Sequence, residues 1–226
     1  MTDQYYGQRQ AQTNGSDVSR SKFLARQETG RVRTMIPVKV IAVKGGGVGA
    51  PPTVNVKPLV NQIDGQGNST EHGTVFNIPV SRLQGGGNAI INDPAVGDVG
   101  YIMVADRDIS SVKANAGQQS NPGSYRRFNF ADGVYVGAIL NSGTPDQYVH
   151  FTSDGIEISD KNGNKITMTS SGINITAPAG VNLNGLVIDQ NGKATGPADI
   201  IANGISLDTH VHGGVQPGPA TTGEPE

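Results

Sequence analysis

Tyr148-Val149-His150-Phe151, Gly155-Ile156-Glu157-Ile158, Lys165-Ile166-Thr167-Met168 and Gly172-Ile173-Asn174-Ile175 are four short runs of one design. Each sets two apolar residues around one polar residue. Period-two alternation marks strands with one apolar face. Turn chemistry separates the runs: Ser153-Asp154-Gly155, Asp160-Lys161-Asn162-Gly163 and Ser170-Ser171-Gly172. Val181-Asn182-Leu183, Leu186-Val187-Ile188 and Gly204-Ile205-Ser206-Leu207 continue the series, with Asn191-Gly192 as a further turn. This is internal repetition. One such strand buries only two or three aliphatic side chains. Ordering the backbone costs roughly 1–2 kcal/mol per residue, so one copy alone gains too little from this burial. Three copies around one axis would each supply apolar residues to a shared interior. Residues 148–207 are therefore expected to form an intertwined trimeric β-helix or β-prism.

The segment that leaves this repeat is Asp208-Thr209-His210-Val211-His212-Gly213-Gly214. Flanking Ile205-Ser206-Leu207, Gly213-Gly214 and Pro217 are poor helix formers. On an extended backbone His210 and His212 project to one side. Two imidazoles are too few for a closed metal site. A symmetric trimer would bring six nitrogens to its axis, a set suited to an octahedral first-row metal such as iron(II) rather than to tetrahedral zinc. The competing reading is a solvated polar tail.

Before the repeat the texture differs. Residues 1–34 form an extension that is polar and expected to be disordered, or ordered only by a partner, to about Ser19. A short helix is expected over Ser21 to Thr29, ending at Gly30. Strands are expected at Met35–Val43, Thr53–Val60, His72–Val80, Asp98–Ala105 and Gly133–Leu140. The long connection Asp106–Phe130 contains a candidate helix at Ile109–Ala116. Five strands with one long connection fit a small OB-type barrel over residues 35–140. Residues 141–147 read as a linker, 148–207 as the repeat region and 208–226 as the segment that carries the histidine pair. The fold class is all-β.

Composition narrows the functions. The 226 residues are only 35% hydrophobic and 5% aromatic, lean for a compact monomeric core. A net charge of -2 gives no basic field for nucleic acid. The absence of Cys removes disulfides, zinc–thiolate sites and Cys nucleophiles. The first residues lack the pattern of a signal peptide and no apolar run is long enough for a spanning helix, so a water-soluble protein made in a cytosol is expected. Gly45–Ala50 contains a GxGxxA match, but Pro51-Pro52 follows where a phosphate-binding helix would have to start, so it reads as a turn. Asp106 with Asp108, and Asp154 with Glu157 and Asp160, read as turn residues rather than glycosidase acids. His72 and His150 support no triad. Arg126-Arg127 beside Phe128 reads as a trimer or hub contact rather than a nucleic-acid stacking site. No catalytic or cofactor-binding residue is assigned, and no enzyme is expected.

The sequence resembles the central baseplate spike of contractile-tailed bacteriophages, the membrane-piercing needle. The resemblance rests on Pro52–Val60, Gly97–Tyr101 and Ala105–Ile109 in the barrel, on Arg126–Gly133 before its last strand, and on the repeat ending in Thr209-His210-Val211-His212-Gly213-Gly214-Val215-Gln216-Pro217-Gly218. It covers residues 35 to the C-terminus, and the last motif is the most specific. It implies a homotrimer whose OB domains form a collar on the baseplate hub. It implies one iron ion per trimer, held in the tip by His210 and His212 of three protomers. It places the protein in the virion, at the tail baseplate, where sheath contraction drives the tip through the host outer membrane. Some relatives carry a lysozyme domain between barrel and needle, and the gap from Leu140 to Tyr148 is too short for one. The alternatives are an enzymatic tailspike that cleaves surface polysaccharide, which 5% aromatics disfavours, and the spike of a secretion system or a phage-tail-like bacteriocin.

Overall fold

Ser16 opens the first described element. Its side chain accepts the Ser19 N–H and caps helix α1, Asp17–Thr29, with Asp17 in the first turn. The structure, a computed structural model, describes residues 15–211 together with Gly214 and Gly218. The polar stretch expected to lack order up to Ser19 is thus helical from Asp17. α1 ends as expected at Gly30, whose N–H bonds the Arg26 carbonyl, and none of its residues is buried.

Strands follow in the order β1 (Met35–Lys44), β2 (Thr53–Pro58), β3 (Gln62–Ile63), β4 (Ser69–Thr70), β5 (Val75–Pro79), β6 (Leu83–Gly85), β7 (Asn88–Ile90) and β8 (Val99–Val104). A short helix α2 (Ser110–Ala114) and one 3-10 turn (Phe130–Asp132) precede β9 (Gly133–Ala138). The protein divides into two units, Met1–Ser142 and Gly143–Glu226. The first holds a five-stranded antiparallel sheet in the order β5-β2-β1-β8-β9. Three of its four ladders carry a bulge, at Val40/Ala42, at Val54/Val56 and at Gly100/Tyr101. Bulges bend strands and raise the twist. The sheet curls into a half-barrel, and its ends meet through a parallel bridge between Val80 and Tyr135. The Ser81 N–H bonds the Tyr135 carbonyl beside it.

Alternation in these strands decides what lies inside the curl. Val38, Val40, Val54, Val56, Ile78, Val80, Ile102 and Tyr135 are the buried apolar residues. The core is small and valine-rich, suited to a tightly curved sheet. Gly100 is required where β8 passes the Tyr135 ring. A Cβ there would lie 2.6 Å from the phenol oxygen and collide with the Gly137 carbonyl. The two hairpins β3–β4 and β6–β7 were not foreseen. Their strands are two or three residues long and wholly exposed, so no alternation marks them.

The second unit is a meander. β10 (Tyr148–Phe151), β11 (Gly155–Ser159), β12 (Lys165–Thr169) and β13 (Gly172–Thr176) form one antiparallel sheet in sequence order. β14 (Val181–Leu183), β15 (Leu186–Ile188) and β16 (Ala194–Thr195) form a second, and β17 (Ile201–Ala202) and β18 (Ile205–Ser206) a third. Strands shorten from four or five residues to two along this unit. Two turn designs recur. At Asp160 and Asp189 one carboxylate oxygen accepts the N–H groups two and four residues on, as Asp64 does in the first unit. At Asn184-Gly185 and Asn203-Gly204 both residues have positive φ, the two-residue hairpin turn that Asn-Gly favours. Among the described residues the secondary structure is thus mostly β, with α1 and α2 as its α-helices. Among the described residues no helix is long and apolar enough to cross a membrane.

Candidate functional site

The pairing register sorts the side chains of β10–β13 by face. Val149, Ile158, Ile166 and Ile175 lie across from one another in one row. Phe151, Ile156, Met168 and Ile173 form the next row on the same face. The opposite face carries His150, Glu157, Thr167 and Asn174, and then Tyr148, Ser159, Lys165 and Thr176. One face is therefore apolar without exception and the other wholly polar. The apolar face is not covered within one protomer, where Phe151 is 75% and Ile173 68% exposed. No described residue from 143 to 211 is buried. Contiguous exposed apolar surface of this kind marks an interaction face.

The polar face is locked by its own network. The Tyr148 hydroxyl donates to Glu157 at 2.6 Å, and the Lys165 ammonium lies 2.7 Å from the other Glu157 oxygen. Lys165 first, then Tyr148, holds the Glu157 carboxyl below its ordinary range. The same hydrogen bonds push Lys165 and Tyr148 up. Glu157 thus ties three strands together. It is a cross-strand clamp rather than a free acid.

Further along, hydrogen bonds fix the backbone that leads to the histidines. The Leu207 N–H bonds the Ile200 carbonyl and the Asp208 N–H bonds Asp199 Oδ1. The Thr209 N–H bonds Ser206 Oγ at 2.7 Å. Hydrogen bonding from Ser206 first, and then from backbone N–H groups, keeps the Asp199 carboxyl below its ordinary range. His210 follows directly and is exposed. His212 lies outside the described residues. Among the described residues no group of three or more His, Asp or Glu side chains is gathered as a metal cage within one protomer.

The acidic residues of the first unit have structural partners. Asp108 and Asp132 are buried, and Arg126 binds both. Arg126 Nε and Nη2 donate to the two Asp132 oxygens at 2.7 Å each, and Nη2 also donates to Asp108 at 2.8 Å. Asp108 further accepts the Ser110 N–H and the Ser124 hydroxyl, and Asp132 the Ile109 N–H. Hydrogen bonds from Ser110, then Ser124, hold the Asp108 carboxyl well below the usual range despite its burial. The cluster pins the long connection after β8 to the start of β9. Arg126, expected at a trimer or hub contact, binds both carboxylates within the chain and stays 38% exposed. Asp106, read with Asp108 as a turn residue, is exposed and pairs with Arg107.

The glycine-rich loop after β1 is also held from within. Arg82, 5% exposed, donates to the carbonyls of Gly47 and Gly49 and pairs with Asp93. Asp93 in turn accepts the Gly47 N–H. The loop's carbonyls face a guanidinium, so it is a clamped turn and not an anion cradle.

Residues 204–226 match the GpV Apex motif, a stretch that includes both histidines. The match covers about a tenth of the sequence. It points to a structural component of a bacteriophage tail spike, at the tail tip of the virion. No curated protein matches the sequence.

Proposed function

We propose that the protein is the central spike of a contractile-tail baseplate and works as a homotrimer that pierces the host outer membrane when the sheath contracts. The observation that carries this reading is the uninterrupted apolar face of β10–β13. A face of eight apolar side chains needs a cover, and two further copies of the same face supply one. The polar face, with its Tyr148–Glu157–Lys165 clamp, then becomes the outer wall. Successive sheets of shorter strands would make each trimeric layer narrower than the last, which suits a needle.

In this reading residues 35–140 are an OB barrel that binds the baseplate hub. The strand order β5-β2-β1-β8-β9, with its two ends joined in parallel, supports that topology. Residues 141–147 connect it to the needle at 148–207, and 208–226 form the tip. His210 and His212 of three protomers would hold one iron ion. The donor set fits: imidazoles are borderline ligands suited to iron, and the hydrogen-bonded turn over residues 199–209 delivers an exposed His210. The ion would cross-link three C-terminal ends, which supplies stiffness where force is applied. The role is mechanical. Asp108, Glu157 and Asp160, the acids most suggestive of hydrolysis, all serve local hydrogen bonds.

Elemental analysis of the metal-replete protein tests the tip. One iron per three protomers is expected, with loss of iron and retention of β structure in the His210→Ala/His212→Ala double variant. Metal well below that ratio, or unchanged in the double variant, would leave the histidines as a polar end to the protein.

A further inference from the structure

Four Asn-Gly steps lie wholly among the described residues, and the structure ranks them by how freely each can react with itself. In an Asn-Gly step the glycine nitrogen can attack the amide carbon at the end of the asparagine side chain. The new bond from that carbon to the glycine nitrogen closes a five-membered imide. The original bond to the amide nitrogen breaks, and ammonia leaves. Water then opens the imide at either carbonyl, giving aspartate or isoaspartate. The co-reactant is water alone, and no oxidant or reductant is required. The attack needs a glycine N–H that is not held elsewhere and a turn that can open.

At Asn184-Gly185 the glycine N–H is held by Asn182 Oδ1 at 2.8 Å, and a Cβ on Gly185 would meet the Pro197 ring at 2.8 Å. That turn is both bonded and packed. At Asn162-Gly163 the glycine N–H bonds the Asp160 carbonyl, and the Asn162 amide itself donates to Asp160. At Asn191-Gly192 the glycine N–H bonds the Asp189 carbonyl at 3.0 Å. Asn203-Gly204 differs from the other three in its glycine N–H and shares an open position at the glycine with Asn191-Gly192. Nothing lies within 4 Å of where a Gly204 Cβ would sit. Asn203 is exposed, and neither it nor the Gly204 N–H has a hydrogen-bond partner among the described residues. The turn also closes one of the shortest hairpins, two residues against two. Short ladders open most readily.

We propose that, of these four steps, Asn203-Gly204 is the one at which the protein modifies itself with age, by imide formation and hydrolysis to aspartate and isoaspartate. Isoaspartate adds a backbone carbon to a turn built from only two residues at positive φ. The β17–β18 register would be lost just where the matched apex segment begins. The product also places a carboxylate on each protomer at that level. The inference rests on the hairpin geometry and holds whether or not the protein is a trimer.

The test is incubation of the full-length protein at mildly alkaline pH and physiological temperature. Proteolytic mapping by mass spectrometry and isoaspartate-specific methylation then follow each step over time. Asn203 is expected to convert at least several-fold faster than Asn184, Asn162 or Asn191, and the Asn203→Gln variant should remove that signal and no other. Conversion at Asn203 no faster than at Asn184 would overturn the proposal, as would an unchanged isoaspartate yield in Asn203→Gln. In the Asn182→Ala variant, which frees the Gly185 N–H, Asn184 should accelerate. No acceleration would also count against it, because the hydrogen bond would not be what protects that turn.

Discussion

Replacing Ile173 by Asp in one variant, and the adjacent Asn174 by Asp in another, sets a new charge on opposite faces of the same strand. Ile173 pairs with Met168 on the apolar face and Asn174 with Thr167 on the polar one. Within one protomer Ile173 is 68% exposed. Burying an isoleucine is worth roughly 1.5–3 kcal/mol, so covering the exposed two thirds is worth roughly 1–2 kcal/mol per protomer and roughly 3–6 kcal/mol over three copies. In the proposed trimer, Ile173→Asp forfeits that gain and brings three carboxylates into one apolar layer, where each must be desolvated or protonated. Asn174→Asp adds the same charge on the outer wall, where surface changes stay within about 0.5 kcal/mol. Light scattering across a dilution series and thermal melts of both variants would measure the difference. Ile173→Asp should dissociate at concentrations where wild type and Asn174→Asp remain assembled, and should melt earlier. Equal mass and equal melting for the two variants would refute the assignment of the apolar face as a subunit interface.

Other outcomes follow from the first unit and from the clamp on the needle. Arg126→Met leaves the buried Asp132 and Asp108 carboxylates without their cation and should cost about 3 kcal/mol, the low end for a broken buried pair because Arg126 is 38% exposed. Chemical denaturation checks it, and a loss near zero would mean the cluster holds nothing together. Gly100→Ala should destabilise by roughly 1–3 kcal/mol through overpacking against Tyr135; an unperturbed melt would show that β8 and β9 are further apart. Acid should weaken both units. The Asp108 and Glu157 pKa values are lowered on folding, so their contribution is present above the unfolded carboxylate range near pH 4 and is lost as pH falls through the folded values. Melting temperature against pH should fall below about pH 4, and less steeply in Asp108→Asn. An equally steep fall in that variant would exclude Asp108 as a contributor.

Much of the architecture was legible because alternation is loud where one face is buried. The five strands of the curled sheet are placed within a few residues for that reason, and the runs from Tyr148 to Ile188 because one face is apolar and the other polar even though neither is buried. The hairpin Leu83–Gly85/Asn88–Ile90 left no trace, because its residues are all exposed and three glycines fill its turn region. Ala194–Thr195 and Ile201–Ala202 are too short to show a period. The start of α1 was hidden by composition. Ser16-Asp17-Val18-Ser19 is polar enough to read as a tail, although Ser16 before Asp17 is a cap signal. The Arg126 cluster was the larger omission. Asp132 lies only six residues after Arg126, but Asp108 lies 18 before it, and no local spacing rule predicts that one arginine binds both. The apolar face of the needle could be read from sequence, since strand period alone fixes which side chains share a side.

Native mass of the full-length protein tests the central claim most directly. The account predicts a species at three times 23.4 kDa that persists on dilution. A folded, β-rich species at 23.4 kDa, with Phe151 and Ile173 in water, would contradict it.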